Sequence, residues 1–275
     1  MEVSDSILDH LQQVTALPDL TGTRFGLESE IGRGGMGVVY AAWDRELDRR
    51  VALKVFDVPV AGEAQLIARL EHPGIVPIFE TGTLADGRSF YAMKLVGGTR
   101  LDQYAAGDHF LSERLRVIRR VGEALAYAHS RGVIHRDLKP QNIMVGEFGE
   151  VYVMDWGVDA VAGTAGFRAP EVTLDPRSDV YALGAVLKFI FPSTAPPALA
   201  AVVEKAMRAD RTQRYESVAE FLADIDRFEQ GVAVQAWSEP AWHRLKRFAS
   251  RNAVLLWLLA AYTLVRLFIF FWRKF

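Results

Sequence analysis

The sequence predicts an α+β fold of two lobes, a β-rich N-terminal lobe and a helical C-terminal lobe, followed by one transmembrane helix. Short β-branched runs separated by glycine or charged turns fill residues 25–57, a pattern that is typical of an antiparallel meander. After Gly97 and Gly98 the apolar residues recur at helical spacing. Residues 253–272 form an apolar run of the length that a bilayer span requires.

Strands account for most of the N-terminal lobe, which we place at residues 25–96 after a polar leader at residues 1–24. The first strands are predicted in RFGLESEIG, GVVYAAWD and RVALKVFD. More strand follows in VPIFETG and SFYAMKLV, after a short helix at residues 63–70. The first third of the chain is therefore predicted to be mostly β.

The C-terminal lobe, placed at residues 97–230, is predicted to be mostly helical. Its first long helix follows from the spacing of Leu115, Ile118, Val121, Leu125 and Ala128. Ser112 is predicted to cap the start of this helix and Gly132 to end it. Short strands are predicted in NIMV and VYVMD, and further helices at residues 178–190, 197–208 and 217–229.

The apolar run AVLLWLLAAYTLVRLFIFFW at residues 253–272 is predicted to cross a membrane once. Its Leu, Ile, Val and Phe side chains contribute roughly −0.3 to −0.6 kcal/mol each and together outweigh Arg266, which costs about 2.5 to 3.5 kcal/mol. A basic juxtamembrane linker, residues 231–252, precedes the run, so the positive-inside tendency predicts an inner (plasma) membrane protein with its large N-terminal part in the cytoplasm. A buried or interfacial helix is the alternative.

The composition excludes several kinds of partner and site. The 275 residues include 32 basic and 34 acidic side chains, with a net charge of −2, so the charge balance predicts no nucleic-acid partner. The absence of cysteine rules out disulfides and thiolate metal sites. The N-terminus MEVSDSILDHLQQ lacks the apolar core of a signal peptide, so the body of the protein is not expected to be exported.

Two motifs in the predicted sheet are candidates for phosphate binding. Gly32, Gly34 and Gly37 in IGRGGMGVVY have G-x-G-x-x-G spacing, for which a simple tight turn is the alternative. A dinucleotide fold would need a helix after these glycines, but VVYAAW is strand-like, so a glycine hairpin that closes over phosphates fits better. Lys54 in VALK lies on the next strand, where it must reach solvent or meet a negative partner.

Three more motifs follow in the C-terminal lobe. HRDLKPQN, residues 135–142, must be a loop, because Pro140 lacks the donor needed inside a helix and keeps the preceding residue extended. D-W-G begins at Asp155, and A-P-E ends at Glu171. The glycine loop, the strand lysine and these three motifs occur in the order that protein kinases have, which chance does not readily produce.

The sequence resembles the bacterial members of the eukaryotic-like, or Hanks-type, serine/threonine protein kinase family over residues 25–229. The stretch GRGGMGVVYAAWD is especially typical of those bacterial enzymes. The resemblance implies a bilobal protein-kinase-like fold that binds ATP and Mg²⁺ in its cleft and transfers the γ-phosphoryl group to protein substrates. Lys139 in LKPQN favours serine or threonine as the acceptor.

The resemblance assigns the chemistry to the loop motifs. Asp137 would accept or orient the proton of the substrate hydroxyl, and Lys139 would neutralise charge on the transferring phosphoryl group. Asn142 and Asp155 would supply oxygen ligands to Mg²⁺. Thr164 corresponds to the threonine that contacts the catalytic aspartate and lysine, although a simple turn residue is the alternative.

The same resemblance assigns nucleotide binding to the N-terminal lobe. Glu63 would pair with Lys54 and hold it on the α and β phosphates. The implied nucleotide-binding set also includes Ile31, Gly32, Gly34, Gly37, Val39, Ala52, Met93 and Met144, with the backbone of Lys94 to Val96 facing the base. Glu171 and Arg214 would form a buried ion pair within the helical lobe.

Two departures from the family bear on regulation. Lys54 and Glu63 are close in sequence, so their pair would form near the start of a helix. The activation segment from Asp155 to Glu171 is short and lacks the usual serine- or threonine-rich stretch. Together they motivate the hypothesis that the enzyme is constitutive or controlled by membrane clustering, which a dependence of activity on phosphate at Thr173 would contradict.

A third departure concerns substrate binding, because LGAVLKFIFPSTAPPALAAVV leaves no room for the substrate-docking helix of the family. Apolar surface around Phe189, Ile190 and Phe191 is therefore expected to be exposed, where a partner, the membrane or a second copy of the chain would cover it. Trp156 also replaces the phenylalanine of D-F-G, and its bulk is expected to hinder a flip to an inactive state.

Two alternatives to an active kinase stay open. A nucleotide-binding pseudokinase that acts as a membrane scaffold would fit the missing docking region. The presence of Lys54, Glu63, Asp137, Asn142 and Asp155 favours the enzyme, because pseudokinases commonly lack one of them. The second alternative, an interaction protein that binds no nucleotide, would require every motif to have arisen by chance.

Overall fold

A five-stranded antiparallel sheet forms the N-terminal lobe. The computed structural model describes residues 17–34, 37–56, 67–156, 166–191, 195–240, 249 and 252–272. The strands are β1 (Phe25–Gly34), β2 (Gly37–Asp44), β3 (Arg49–Phe56), β4 (Ile78–Thr83) and β5 (Ser89–Lys94). Their order across the sheet is β1, β2, β3, β5, β4, so β3 lies at the centre. The helix predicted at residues 63–70 lies mostly outside the described residues.

The central strand β3 has one face in the core of the lobe and one face turned toward the helical lobe. Leu53 and Val55 belong to the buried cluster of the N-terminal lobe. Because successive side chains of a strand alternate, Lys54 and Phe56 lie on the opposite face. There Phe56 packs against Tyr91 of β5, and Lys54 is the direct cross-strand partner of Tyr91.

The C-terminal lobe is helical, with a small three-stranded sheet on the side of the cleft. Its helices are α1 (Leu101–Tyr104), α2 (Leu111–Ser130), α3 (Pro176–Ile190), α4 (Pro197–Ala206) and α5 (Val218–Glu229). The small sheet pairs β6 (Thr99–Arg100) with β7 (Ile143–Val145) and β7 with β8 (Val151–Val153). The α+β fold of two lobes is therefore confirmed, and α2, α3 and α5 pack around one buried core.

The prediction that Ser112 caps α2 is wrong. The helix begins at Leu111 with Phe110 at the N-cap position, and the Glu113 carboxylate accepts a hydrogen bond from the Phe110 backbone N–H at 2.9 Å. A carboxylate in the first turn thus accepts from the backbone N–H of the N-cap residue itself and lies at the favourable positive end of the helix. At the other end Gly132, with φ of 75°, follows the helix as predicted.

Helices α3 and α5 have the polar caps that fix a helix start. Asp175 accepts a hydrogen bond from the Arg177 N–H at 2.8 Å, so α3 begins at Pro176, slightly earlier than predicted. Ser217 accepts a hydrogen bond from the Glu220 N–H at 3.2 Å and caps α5. These caps matter for the site, because α3 carries a carboxylate that holds the catalytic loop.

The C-terminal apolar run is helical over its whole length, as α6 (Ala253–Trp272). Its described side chains are largely exposed, with Val254 and Trp257 at 75% and 76%. Taken over the described residues, none of the helices combines the length and the apolarity that crossing a bilayer demands. The transmembrane span therefore stays a prediction.

Candidate active site

The loop HRDLKPQN brings the predicted catalytic groups together. The Lys139 ammonium donates a hydrogen bond to the Asp137 carboxylate at 2.7 Å. The Asn142 side-chain N–H₂ donates to the Asp137 backbone carbonyl at 2.9 Å, which turns the amide oxygen of Asn142 the other way. Both Asp137 and Lys139 keep part of their side chains accessible, at 12% and 23%. The acid and the cation can therefore still reach a bound substrate.

Asp179 of α3, a residue that sequence patterns did not point to, holds the catalytic loop in place. Its carboxylate accepts hydrogen bonds from the backbone N–H groups of His135 at 2.8 Å and Arg136 at 3.0 Å. These bonds stabilise a strained turn, because Arg136 has a φ of 68° that side chains rarely adopt. His129 Nε2 lies 2.7 Å from the same carboxylate. Asp179 is 1% exposed, so its charge is compensated within the fold.

His135 lies in the core beneath the loop rather than in the cleft. Its Nε2 atom lies 3.0 Å from the Met154 carbonyl, and its Nδ1 atom accepts a hydrogen bond from the Asp137 N–H at 3.3 Å. One donor and one acceptor are the pattern of a neutral imidazole. Burial lowers the pKa of His135, which favours the same neutral form. Its ring contacts Trp156 with centroids 4.8 Å apart.

Lys54 links the two lobes. Its ammonium donates a hydrogen bond to the Asp155 carboxylate at 2.7 Å. Burial alone would lower the pKa of Lys54, but contacts with Tyr91 and Asp155 outweigh it and raise that pKa. Asp155 has a φ of 52°, the left-handed region that non-glycine residues seldom occupy. Glu63 and Thr164, the other predicted partners in this region, lie outside the described residues.

The predicted nucleotide-binding residues line one face of the sheet. Val39 is the cross-strand partner of Lys54, and Met93 is the partner of Ala52, so all four share that face. Ile31 is 50% exposed beside them on β1, and Met144 of β7 comes from the helical lobe. Lys94 donates to the Tyr152 hydroxyl at 2.6 Å and so connects β5 to β8, while Val96 is half-buried shortly after β5.

The glycines of the hairpin lie at the ends of β1 and β2. Gly32 pairs with Val39, and Gly34 pairs with Gly37. Gly37 has a φ of 133°, and a Cβ added there would lie 2.1 Å from the Val55 carbonyl. Only glycine fits this position without a shift of the backbone. The hairpin therefore brings its backbone close to the strand that carries Lys54.

Asn142 and Asp155 carry the kind of oxygen ligands that the predicted Mg²⁺ site would use. The two residues offer amide and carboxylate oxygens, the hard ligands that this cation prefers. The backbone of Asn142 accepts a hydrogen bond from the Met154 N–H at 2.8 Å, so the loop and the strand end that carry them are joined. No cluster of three or more His or acidic side chains that could hold a metal occurs among the described residues. A cation here would complete its coordination with phosphate and water oxygens.

Glu171 and Arg214 form the predicted ion pair. Two parallel hydrogen bonds of 2.7 and 2.8 Å join the guanidinium to the carboxylate, and the Arg214 side chain is 0% exposed. Burial alone would raise the pKa of Glu171, but its hydrogen bonds, chiefly with Arg214, outweigh it and lower that pKa. The Ser178 hydroxyl also donates to Glu171 at 3.0 Å. The pair therefore connects the A-P-E motif to the start of α3.

The predicted apolar surface at the end of α3 is smaller than expected. Phe189 is 44% exposed and contacts Phe167 with ring centroids 6.0 Å apart. Ile190 is 1% exposed, so the expectation that it is exposed is wrong. It continues the helical repeat of Leu183 and Leu187 into the core of the lobe. Phe191 packs partly against the same core.

Comparison with known proteins identifies the family. A model of the protein kinase domain matches residues 25–240. The chain is 29% identical to the serine/threonine-protein kinase PknD of Protochlamydia amoebophila over 79% of this chain and 31% of that protein. It is 32% identical to the serine/threonine-protein kinase PknB of Mycolicibacterium smegmatis over 80% of this chain and 45% of that protein.

A third relative gives the same picture. The probable serine/threonine-protein kinase PknB of Bifidobacterium longum is 32% identical over 82% of this chain and 43% of that protein. The chain thus spans less than half the length of these relatives. The family model covers most of the chain, including every motif described above. The chain therefore belongs to the protein kinase domain family.

Proposed function

We propose that the chain is an active serine/threonine protein kinase that transfers the γ-phosphoryl group of ATP, with Mg²⁺, to hydroxyl groups of protein substrates. The observation that carries this proposal is an unbroken series of contacts across the cleft. Lys139 contacts Asp137, Asn142 contacts Asp137, the Asn142 backbone contacts Met154, and Asp155 contacts Lys54. Five of the groups that the proposed reaction would use therefore belong to one connected series.

Each of these residues has a distinct task in the proposed reaction. Asp137 orients the substrate hydroxyl and accepts its proton, and the adjacent Lys139 balances charge on the transferring group. Lys54 contacts the phosphates of the nucleotide from the N-terminal lobe. Asn142 and Asp155 hold Mg²⁺, which supplies charge neutralisation at the phosphate oxygens when bound. Positioning and electrostatics supply most of the catalysis in such a site.

Phosphate transfer from labelled ATP tests the proposal directly. We expect the full chain, purified in detergent, to label itself or a protein substrate with Mg²⁺ present and to stop when EDTA removes the cation. Lys54→Met should lose this activity, because no other described cation of β3 faces the cleft at that point. ATP binding without transfer would contradict the proposal and favour a scaffold, and failure to bind ATP would favour an interaction protein.

We also propose that α6 anchors the kinase domain to the inner membrane as a single-pass helix, with the kinase domain in the cytoplasm. The helix presents exposed Leu, Trp and Phe side chains along its length, for example Leu258 at 64% and Phe268 at 66%. Exposed apolar area of this extent is unfavourable in water. Basic residues precede the helix in the sequence, at Arg244, Lys246 and Arg247, as expected on a cytoplasmic flank.

Charged substitutions in α6 test the anchor. We expect the full chain to stay with the membrane fraction after an alkaline wash and the double variant Leu258→Arg, Leu259→Arg to be released, because each arginine costs about 2.5 to 3.5 kcal/mol at the centre of a span. Phe148→Arg is the matched control, since Phe148 is 91% exposed in the helical lobe. Release of the parent chain, or retention of the double variant, would contradict the anchor.

A further inference from the structure

Lys54 has two described polar contacts, which come from very different parts of the molecule. Asp155 lies on the loop after β8, where its backbone is in the left-handed region. Tyr91 lies on β5, directly opposite Lys54 in the antiparallel pairing of β3 with β5. Interaction with the nearby Tyr91 hydroxyl, together with that of Asp155, raises the pKa of Lys54 against the effect of burial. One contact therefore depends on a loop and the other on the centre of a sheet.

The packing around Tyr91 fixes the direction of its hydroxyl. Tyr91 is 7% exposed, and its ring packs against Phe56 with centroids 5.1 Å apart. The Lys54 ammonium lies 5.2 Å from the centre of the same Phe56 ring, so Phe56 contacts both partners. A tyrosine has few rotatable bonds, and a ring held on a strand by a neighbour loses little further freedom when its hydroxyl binds.

The proposed metal site would change the contact between Lys54 and Asp155. An ammonium has three N–H donors, and the contact with Asp155 takes one of them. Asp155 is also the proposed ligand of Mg²⁺, and its carboxylate oxygens must then be shared between two cations. A lysine has a long and flexible side chain, so a contact from the sheet that stays in place when nucleotide and metal enter would add to the ion pair predicted with Glu63.

We propose that Tyr91 is a positioning residue for Lys54, whose ammonium donates a hydrogen bond to the Tyr91 hydroxyl and is thereby held toward the nucleotide phosphates. The inference rests on the proposed function of the cleft. It adds a positioning residue to that function, because a tyrosine of the sheet helps to orient the lysine that binds phosphate. Sequence patterns did not point to Tyr91, since its pairing with Lys54 joins residues far apart in the chain.

A neutral partner can hold the ammonium beside Asp155 and the predicted partner Glu63 without adding further negative charge to the site. Burial raises the pKa of Tyr91 to about 12, so the phenol keeps its proton at physiological pH. Its oxygen accepts from Lys54 without cancelling the positive charge that attracts the phosphates. Tyr91 thus orients the ammonium, while Lys54 supplies the positive charge.

Tyr91→Phe removes the hydroxyl and keeps the ring, so it tests the inference without opening a cavity. We expect kcat to fall and the Kd for ATP to rise, with a combined loss on the order of tenfold, because a hydrogen bond to a charged group is lost. The KM for the protein substrate should stay within about twofold. Tyr40→Phe is the matched control, since Tyr40 is a buried tyrosine on the core face of the same sheet.

A double-mutant cycle separates positioning from packing. In the Lys54→Met background we expect Tyr91→Phe to leave the Kd for ATP unchanged, because the hydroxyl acts only through the ammonium. The inference would be overturned if Tyr91→Phe caused an equal loss of ATP affinity in both backgrounds. It would also be overturned if Tyr91→Phe changed kcat and ATP affinity no more than Tyr40→Phe does. If the parent binds ATP but transfers no phosphate, the proposed function fails, and the affinity cycle still decides the role of Tyr91.

Discussion

Replacing Asp137 with asparagine is expected to lower kcat for phosphoryl transfer by on the order of 10³-fold, because the amide cannot accept the proton of the substrate hydroxyl. Asn and Asp have nearly the same shape, so the loop should keep its conformation. ATP affinity is expected to stay within about twofold, since the proposed nucleotide contacts come from Lys54 and from the residues proposed to hold Mg²⁺. Single-turnover transfer and ATP binding, measured on the same preparations, provide the two readouts.

The control for this substitution is Asp108→Asn. Asp108 is an exposed acid in the helical lobe, so the same chemical change there should leave kcat within about twofold. Wild-type turnover in the Asp137→Asn variant would show that the reaction does not depend on Asp137. A parallel loss of ATP affinity and thermal stability would indicate instead that Asp137 supports the fold, through its contacts with Lys139 and Asn142.

Replacing Glu171 with alanine is expected to reduce the free energy of unfolding by about 3 to 5 kcal/mol, the largest stability effect that we predict. The substitution leaves the Arg214 guanidinium, 0% exposed, without its carboxylate. Ser178 loses its acceptor at the start of α3 at the same time. Urea unfolding followed by tryptophan fluorescence measures the loss, and the slope of the transition shows whether the folded state has changed.

Glu204→Ala is the matched control for this prediction. Glu204 also pairs with an arginine of the helical lobe, Arg208, but at 3.7 Å and with side chains that are 77% and 47% exposed. Solvent screens such a pair, so its loss should change the free energy of unfolding by less than about 1 kcal/mol. Equal effects of the two substitutions would show that burial of the Glu171 pair does not contribute as argued here.

Much of the fold follows from sequence patterns because strands and helices have different periods. The β-branched runs of the N-terminal lobe and the helical repeat of α2 identify their elements without any knowledge of contacts. Motif order identifies the cleft residues, and the pairing of Lys139 with Asp137 and of Arg214 with Glu171 agrees with it. The exact start of α2 depends on which side chain binds the free backbone N–H groups. Ser112 was the expected cap, but the Glu113 carboxylate accepts from the Phe110 N–H.

The contacts that the sequence analysis missed are those between distant segments. Asp179 stands out only as an acid within the apolar helix SDVYALGAVL, and nothing local shows that it faces the catalytic loop. Tyr91 faces Lys54 because of strand register, which is fixed by pairing across the sheet rather than by the residues nearby. Glu63 and Thr164 lie outside the described residues and stay predictions.

The two hydrogen bonds from Asp179 to the backbone of the catalytic loop have a consequence for how activity can be lost. The loop owes its working shape to a helix in the middle of the larger lobe, whose own start depends on Asp175 and Ser178. A destabilising substitution in α3, away from the nucleotide site, would therefore displace the reacting groups through the backbone of the catalytic loop. The stability of the helical lobe and the geometry of the catalytic loop therefore depend on the same helix.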